Sequence, residues 1–285
     1  MKYCCGLVLF YPLNEDIENI IHYASFFEKT YIIDNTDDVI YRQKYKNYID
    51  SFIKLEYITY GKNIGLSKAY NIMCSKAISE KFDFICLFDQ DSRIDKNNLL
   101  EIINSINDYP KNDVAIFAPN VLYKHKIKKN KKYYFKYEKV KWVISSGSFI
   151  NLNIYNNIGK FDENLFIDRI DYDYCENARR NNYKIIKINT AFISQNLGEI
   201  KNGFFKNKSN HSVVRHYYIF RNRFYYYLYK KKGFLSYIYC IILTAKHLCV
   251  ILFYENNKIK KLSLVHKAYK DYSFNKLGKL EDDIK

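Results

Sequence analysis

Short apolar runs alternate with segments of helical spacing through the first half of the chain. Between residues 15 and 27, for example, apolar side chains recur every three or four positions, as on one face of a helix. The predicted strands cover 3–10, 31–33, 53–60, 84–88 and 114–117, and the predicted helices cover 15–27, 66–77 and 96–106. This alternation predicts an α/β fold with a doubly wound, mostly parallel sheet, in which ligands bind at the carboxyl ends of the strands.

The alternation is interrupted after residue 117. Residues 124–141 contain nine lysines against one glutamate, which predicts a basic hairpin or loop that interrupts the sheet. Beyond it, the pattern predicts an apolar stretch at 142–151, a helix at 171–181 and strands at 184–188 and 190–194.

The net charge of +16 is concentrated towards the end of the chain. From residue 201 onward there are 18 Lys and Arg residues against 5 Asp and Glu residues, so this part carries +13 of the total. A chain this basic favours an anionic partner, and a nucleotide, a nucleic acid and an acidic lipid all fit.

The segment 234–254 is strongly apolar, and lysines flank it at 230–232, 258, 260 and 261. Its length would suffice to cross a bilayer, but Lys246 near its middle would cost about 2.5–3.5 kcal/mol on insertion. We therefore expect a helix that lies on an anionic membrane surface or packs on the rest of the protein.

Seven cysteines are scattered along the chain, and the adjacent Cys4 and Cys5 cannot form an ordinary disulfide. We expect reduced, mostly buried thiols in a cytoplasmic protein. The N-terminal apolar run, Tyr3 to Leu13, is short and has no A-x-A-like site after it, so we expect no signal peptide.

Two carboxylates, Asp89 and Asp91, follow the predicted strand at 84–88. Residues at i and i+2 of a strand share one face, and two hard oxygen ligands there suit Mg²⁺ or Mn²⁺, which also bridges a diphosphate. The alternative is that this D-x-D pair only caps a turn or the next helix.

Polar residues also end two other predicted strands. Asp34 could accept hydrogen bonds from a nucleobase or ribose, or could form only an Asx turn. Asn63 and Gly65 precede a predicted helix whose N-terminus would favour phosphate, and the alternative is that they only cap this helix.

An acidic cluster occupies 162–173, with five carboxylates among aromatic residues. A carboxylate beside apolar groups has a raised pKa and can serve as a general base. A solvated helix N-terminus rich in Asp is the alternative, because the helix dipole favours negative charge there.

Taken together, these segments resemble the inverting glycosyltransferases of family 2, and among them the rhamnosyltransferase-like members. The resemblance is carried by the segments 8–12, 31–36, 63–71, 88–92, 144–150, 158–175 and 216–223. The resemblance covers about residues 3–225, extends weakly to Gly278, and implies a GT-A fold, a Rossmann-like α/β sheet, over residues 1–225. From its composition we expect 226–285 to form a basic, apolar helical extension.

The resemblance also implies roles for individual residues. Asp171 would be the catalytic base, and Asp89 and Asp91 would hold Mg²⁺ or Mn²⁺. The implied nucleotide-sugar-binding residues are Tyr11, Pro12, Asp34, Asn63, Gly65 and Asp89, and the implied acceptor-binding residues are Gly147, Asp168 and Asp173.

The sequence departs from the family pattern at Gln195, where such enzymes often have a histidine. Three alternatives follow: His211 or His216 supplies an imidazole instead, the carboxylates and the donor phosphates hold the metal alone, or the affinity for the metal is low.

The function implied is transfer of a sugar, with L-rhamnose the candidate, from a dTDP- or UDP-sugar to a saccharide or lipid-linked acceptor in surface polysaccharide synthesis. The expected location is the inner face of the cell membrane, and a homo-oligomer is left open. The alternative is a non-catalytic membrane-surface or nucleic-acid-binding protein, the latter suggested by Arg221, Arg223 and the tyrosines at 225–227. Because the charge lies beside an apolar run, it suits anionic lipid better, and we expect no nucleic-acid partner.

Overall fold

The structure, a computed structural model, describes residues 1–123, 134–195, 200–201, 208–209 and 212–280. The chain forms two compact units. The first comprises Met1–Asp162 and Asp171–Asn196, and the second comprises Glu163–Ile170 and Leu197–Lys285. These units do not coincide with the predicted division after residue 225, which stays a prediction about domains.

The first unit contains an eight-stranded sheet among the described residues, in the order β3-β2-β1-β4-β7-β5-β8-β6. Its strands are β1 (Tyr3–Leu9), β2 (Thr30–Asp34), β3 (Leu55–Thr59), β4 (Phe84–Asp89), β5 (Val114–Tyr123), β6 (Tyr137–Lys139), β7 (Ser148–Asn151) and β8 (Lys184–Gln195). The accompanying helices are α1 (Asn14–Ala24), α2 (Val39–Asp50), α3 (Leu66–Ser79), α4 (Lys96–Asp108), α5 (Tyr155–Ile158) and α6 (Ile170–Arg180).

The predicted parallel pairing is confirmed where strands alternate with helices. β1 lies parallel to β2 and β4, β2 lies parallel to β3, and β5 lies parallel to β8. The apolar stretch at 142–151 contributes β7, which is inserted antiparallel between β4 and β5. Of the predicted basic hairpin, residues 137–139 form the edge strand β6 on β8, and 124–133 lie outside the described residues.

The core of the first unit lies on both faces of the central strands. Every residue of Phe84–Phe88 is buried, which explains why β4 is a continuous apolar run rather than an alternating one. Tyr23 of α1 stacks on Phe88 with ring centroids 4.3 Å apart. Burial of each such large side chain contributes about 1.5–3 kcal/mol to stability.

The second unit is mainly helical in its described part. Its helices are α7 (Val213–Phe224), a π-helix (Tyr225–Lys231), α8 (Phe234–Tyr254) and α9 (Lys258–Ser273), with short antiparallel strands β9 (Ile200–Lys201) and β10 (Lys208–Ser209). Its apolar cluster includes Phe166, Tyr217, Phe220, Leu264 and Ala268.

α8 is long and apolar enough to cross a membrane by length and composition alone. Within the part of the chain that the structure describes, it buries only Cys240 and Ile251. The predicted lysine flank needs one correction, because Lys261 is buried and pairs with Glu255 at 2.7 Å. The seven cysteines are free thiols, six buried and Cys249 exposed, as predicted.

Candidate active site

The polar strand ends predicted from the sequence meet at one edge of the sheet. β1 lies between β2 and β4, with Leu9 in register with Asp34 and Val8 in register with Asp89. Adjacent strands are about 4.8 Å apart, so the two aspartates are separated by roughly 10 Å of sheet. That spacing suits the two ends of one nucleotide.

Asp34 is buried and held in a fixed orientation. One of its carboxylate oxygens accepts a hydrogen bond from the Thr36 amide at 2.8 Å, and the other accepts one from the Tyr57 hydroxyl at 2.5 Å. Burial raises the pKa of Tyr57, and the hydrogen bond to Asp34 raises it further, so Tyr57 stays a donor at neutral pH. A carboxylate has about four acceptor sites, so Asp34 retains capacity for a ligand.

Tyr11 lies beside Asp34 on the loop after β1. Its backbone has a φ of 49°, in the left-handed region, and its amide donates to the Thr36 hydroxyl at 2.9 Å. Its ring makes edge-on contacts with Phe10 and Tyr41, and the residue is 40% exposed, so part of it is available to a nucleobase. Pro12 is buried, and its carbonyl accepts from the Tyr41 hydroxyl at 2.7 Å.

The loop before α3 is organised by side-chain amides. The Asn63 side chain accepts from the Gly65 amide at 2.9 Å, and Asn35 accepts from the Ile64 amide at 3.2 Å. Gly65 has a φ of 84° and caps α3, a conformation that only glycine adopts readily. Asn63 and Gly65 therefore cap α3, as in the alternative interpretation. The N-terminus of α3 also lies at this end of the sheet.

Asp89 and Asp91 lie at and just after the end of β4, and both are partly exposed. The Asp89 amide donates to the Ser146 hydroxyl at 3.2 Å, and the Ser146 hydroxyl lies 2.6 Å from that of the buried Ser92. These contacts fix the turn that carries the two carboxylates. A pair of carboxylates at a strand end is the oxygen-rich donor set that Mg²⁺ and Mn²⁺ prefer, so the residues fit such an ion.

Gln195 lies at the position where a histidine was expected. Its amide nitrogen donates to Asp89 at 3.0 Å, because mutual backbone hydrogen bonds between Arg93 and Ser194 hold the end of β8 beside the D-x-D turn. Of the alternative ligands, His216 is fully buried and lies 2.8 Å from Glu255, so its imidazole is already engaged. His211 lies outside the described residues.

The predicted base, Asp171, is the second residue of α6 and is partly exposed. It lies close enough to the fully buried Tyr70 to affect that phenol: burial raises the pKa of Tyr70 well above its ordinary value, and the charges of Asp89 and then Asp171 raise it further. Tyr70 is held by the Ser145 hydroxyl at 3.0 Å. Tyr70 therefore lies within electrostatic range of both the predicted metal carboxylate and the predicted base.

The three residues predicted to bind the acceptor have different surroundings. Asp173 is buried and accepts from Asn177 at 3.4 Å, and Asp168 has a φ of 71° in the second unit. Gly147 has a φ of 76°, and a Cβ there would lie 2.7 Å from a methyl of Ile193. For Gly147 and Asp173 these surroundings indicate packing, and the acceptor role stays a prediction.

The sequence interpretation missed several polar residues of the site. Tyr70, Ser145 and Ser146 lie within segments that it singled out, yet received no role. Their hydroxyls carry no sequence signature, because a Tyr or Ser becomes part of a site only through distant partners, here 75 residues apart for Tyr70 and Ser145.

Comparisons with known proteins bear on the family and the fold of the chain. The model of glycosyl transferase family 2 matches residues 17–159. The dTDP-rhamnosyl transferase RfbF of Shigella flexneri is 27% identical over 253 residues, which is 80% of this chain and 80% of RfbF. The crystal structure of GalNAc-T7 with UDP, GalNAc and Mn²⁺ superposes with a TM-score of 0.57 at 11% identity and covers 69% of this chain. The matched part is 44% of the GalNAc-T7 chain, and at this identity the likeness shows the fold alone.

Proposed function

Because the chain belongs to glycosyltransferase family 2 and has the α/β GT-A fold, we propose that it is an inverting, metal-dependent enzyme that transfers a sugar from a nucleoside-diphosphate donor. The observation that carries this proposal is that Asp34 and Asp89 end the strands on either side of β1, with Asp91 just after Asp89, which puts a nucleoside-side carboxylate and a pair of diphosphate-side carboxylates at one edge of the sheet. The likeness to a dTDP-rhamnosyl transferase supports dTDP-L-rhamnose as the donor.

In this mechanism the nucleoside lies at Asp34, with its base against Tyr11. Asp89 and Asp91 would hold Mg²⁺ or Mn²⁺, which would neutralise the diphosphate charge as it develops. Asp171 takes the proton from an acceptor hydroxyl while that oxygen attacks the anomeric carbon. The bond from the anomeric carbon to the diphosphate oxygen breaks in line on the opposite face, so the configuration inverts. That the GalNAc-T7 structure holds UDP and Mn²⁺ supports the choice of cation.

The acceptor is proposed to be a saccharide or lipid-linked saccharide of surface polysaccharide synthesis, and α8 is proposed to bring the enzyme to the cytoplasmic face of the membrane. Phe234 and Leu235 at the start of α8 are 77% and 80% exposed. The lysines at 230–232 precede them, and Lys258 and Lys260 follow the helix and are exposed. Exposed apolar side chains between lysines suit an anionic bilayer surface.

A donor panel tests the proposal. Release of nucleoside diphosphate is measured with Mn²⁺ and dTDP-L-rhamnose, UDP-glucose, UDP-galactose and GDP-mannose, with water or added sugars as acceptors. In parallel, thermal melting is followed with dTDP or UDP plus Mn²⁺, since a ligand at 100 times its Kd stabilises by about 2.7 kcal/mol. The Asp91→Ala variant is the matched control. No turnover of any donor, together with no metal-dependent shift of melting temperature, would reject the enzyme in favour of a non-catalytic protein.

A further inference from the structure

The chain leaves the first unit just before the proposed base. Residues Glu163–Ile170 belong to the second unit, and the first unit resumes at Asp171. We call Glu163–Ile170, which is eight residues long, the excursion, and Asp171 is the first residue after it. The last residue of the excursion, Ile170, is also the first residue of α6, so the backbone of the excursion leads directly into that helix.

The backbone of this excursion is unusual. Phe166, Asp168 and Arg169 have φ values of 60°, 71° and 61°, so three non-glycine residues in four positions are left-handed. Such residues persist only when their surroundings over-determine the conformation, and they cluster at functional sites.

What holds the excursion is a pair of fully buried side chains on α7. The Asn222 amide nitrogen donates to the carbonyl oxygens of Leu165, Ile167 and Asp168, at 2.7, 2.7 and 3.1 Å. Arg221 donates to the carbonyl oxygen of Asn164 at 2.9 Å.

These two side chains are also fixed to one another. The Arg221 guanidinium donates to the Asn222 side-chain oxygen at 2.9 and 3.1 Å and lies over the rings of Tyr217 and Tyr218. The Asn222 amide is thereby oriented with its nitrogen towards the excursion. Asn222 and Arg221 both donate to backbone carbonyl oxygens, so they hold the backbone of the excursion and not its side chains.

We propose that Asn222 and Arg221 are positioning residues for sugar transfer: by fixing the left-handed backbone of 164–168, they set the start of α6 and hence the placement of the Asp171 carboxylate. The inference rests on the proposed function, in which Asp171 is the base. Neither residue takes part in proton transfer.

The test is a double-mutant cycle between Asn222→Ala and Asp171→Asn in the full-length protein, with the fastest donor of the panel and Mn²⁺. Asn222→Ala is expected to lower kcat on the order of 10- to 100-fold with donor affinity unchanged, since a small misplacement of a reacting group costs this much. In the Asp171→Asn background it should lower kcat no further. Asn222→Asp should resemble Asn222→Ala, because a carboxylate cannot donate to carbonyls.

Arg223→Met is the matched control. Arg223 is one residue further along α7 and is also buried, but its hydrogen bonds go to Leu243, Thr244 and His247 on α8. It should lower the melting temperature and leave kcat unchanged. If Asn222→Ala does not fold, Asn222→Ser, which keeps one donor, takes its place in the cycle.

Wild-type kcat in Asn222→Ala, the same loss of kcat in both backgrounds, or an equal loss of kcat in Arg223→Met would overturn the positioning role. Failure of the proposed function looks different: Asp171→Asn alone would turn over normally, whatever the effect of Asn222.

Discussion

Replacement of Gly147 separates its packing role from the acceptor-binding role that the family resemblance implies. Gly147 has a φ of 76°, and a Cβ added to it would meet a methyl of Ile193 at 2.7 Å and Pro119 at 3.2 Å. Contacts under 3.0 Å between such atoms require the surroundings to move. The backbone there is also held, because the Gly147 amide donates to the Leu87 carbonyl of β4 at 2.7 Å.

Gly61 is the control for the cost of placing a non-glycine residue in the left-handed backbone region. It has a φ of 70°, close to that of Gly147, but a Cβ there would meet only the end of the Arg42 side chain, at 3.9 Å. A left-handed alanine costs about 1–2 kcal/mol at either position. Overpacking adds about 1–3 kcal/mol at Gly147 alone, so Gly147→Ala should lose about 2–5 kcal/mol in total.

The assay is urea unfolding followed by tryptophan fluorescence and circular dichroism, with melting temperature as a second measure. In a chain of this size 1 kcal/mol corresponds to roughly 2–4 °C, so the difference between the two variants should be several degrees. Equal losses of stability in Gly147→Ala and Gly61→Ala would refute the crowding argument. A Gly147→Ala protein of wild-type stability that binds donor but no longer transfers to an acceptor would support the acceptor role instead.

Three further predictions address the proposed chemistry. Asp171→Asn should keep donor binding and lower transfer by about 10²-fold or more, the usual contribution of a general base, and normal transfer in steady-state kinetics would show that another carboxylate is the base. Asp91→Ala should lose transfer and the Mn²⁺-dependent rise in melting temperature while its circular dichroism spectrum is unchanged, and near-normal turnover at saturating donor would exclude the metal role. Replacing Lys230, Lys231 and Lys232 with Glu should reduce co-sedimentation with anionic vesicles, because each lysine contributes about 1 kcal/mol to binding of an anionic surface. The same replacement should leave hydrolysis of soluble donor unchanged. Equal binding of the wild type to neutral and anionic vesicles would contradict the electrostatic part of that proposal.

The strands at the donor edge could be predicted from the sequence because their local pattern and their tertiary environment agree. β1, β2 and β4 are buried on both faces, so each is a short apolar run that ends in polar residues. The predicted bounds differ from the observed ones by only one or two residues. The position of Asp34 and Asp89 on either side of β1 then follows from parallel pairing alone.

α2 and β7 were not predicted, for different physical reasons. α2 buries only Tyr45 and Ile49 of its residues, so its apolar face is too narrow to give a helical period. The apolar stretch at 142–151 was recognised, but whether it forms a strand, and between which neighbours, depends on pairing with β4 and β5. Those partners lie about 30 to 65 residues away in the sequence, beyond the reach of any local pattern.

The placement of Asp171 depends on contacts of the same long range, and this is why the acidic cluster alone could not identify the base. Five carboxylates within twelve positions have similar local surroundings in the sequence. The structure separates them: Asp173 turns into the core, Asp168 belongs to the left-handed excursion, and Asp171 comes near Tyr70. The hydrogen bonds that shape the excursion come from Asn222, which is 54 to 57 residues further along the chain. A variant of Asn222 should therefore lower the rate of transfer, although the family resemblance, which includes the segment 216–223, implies no role for this residue.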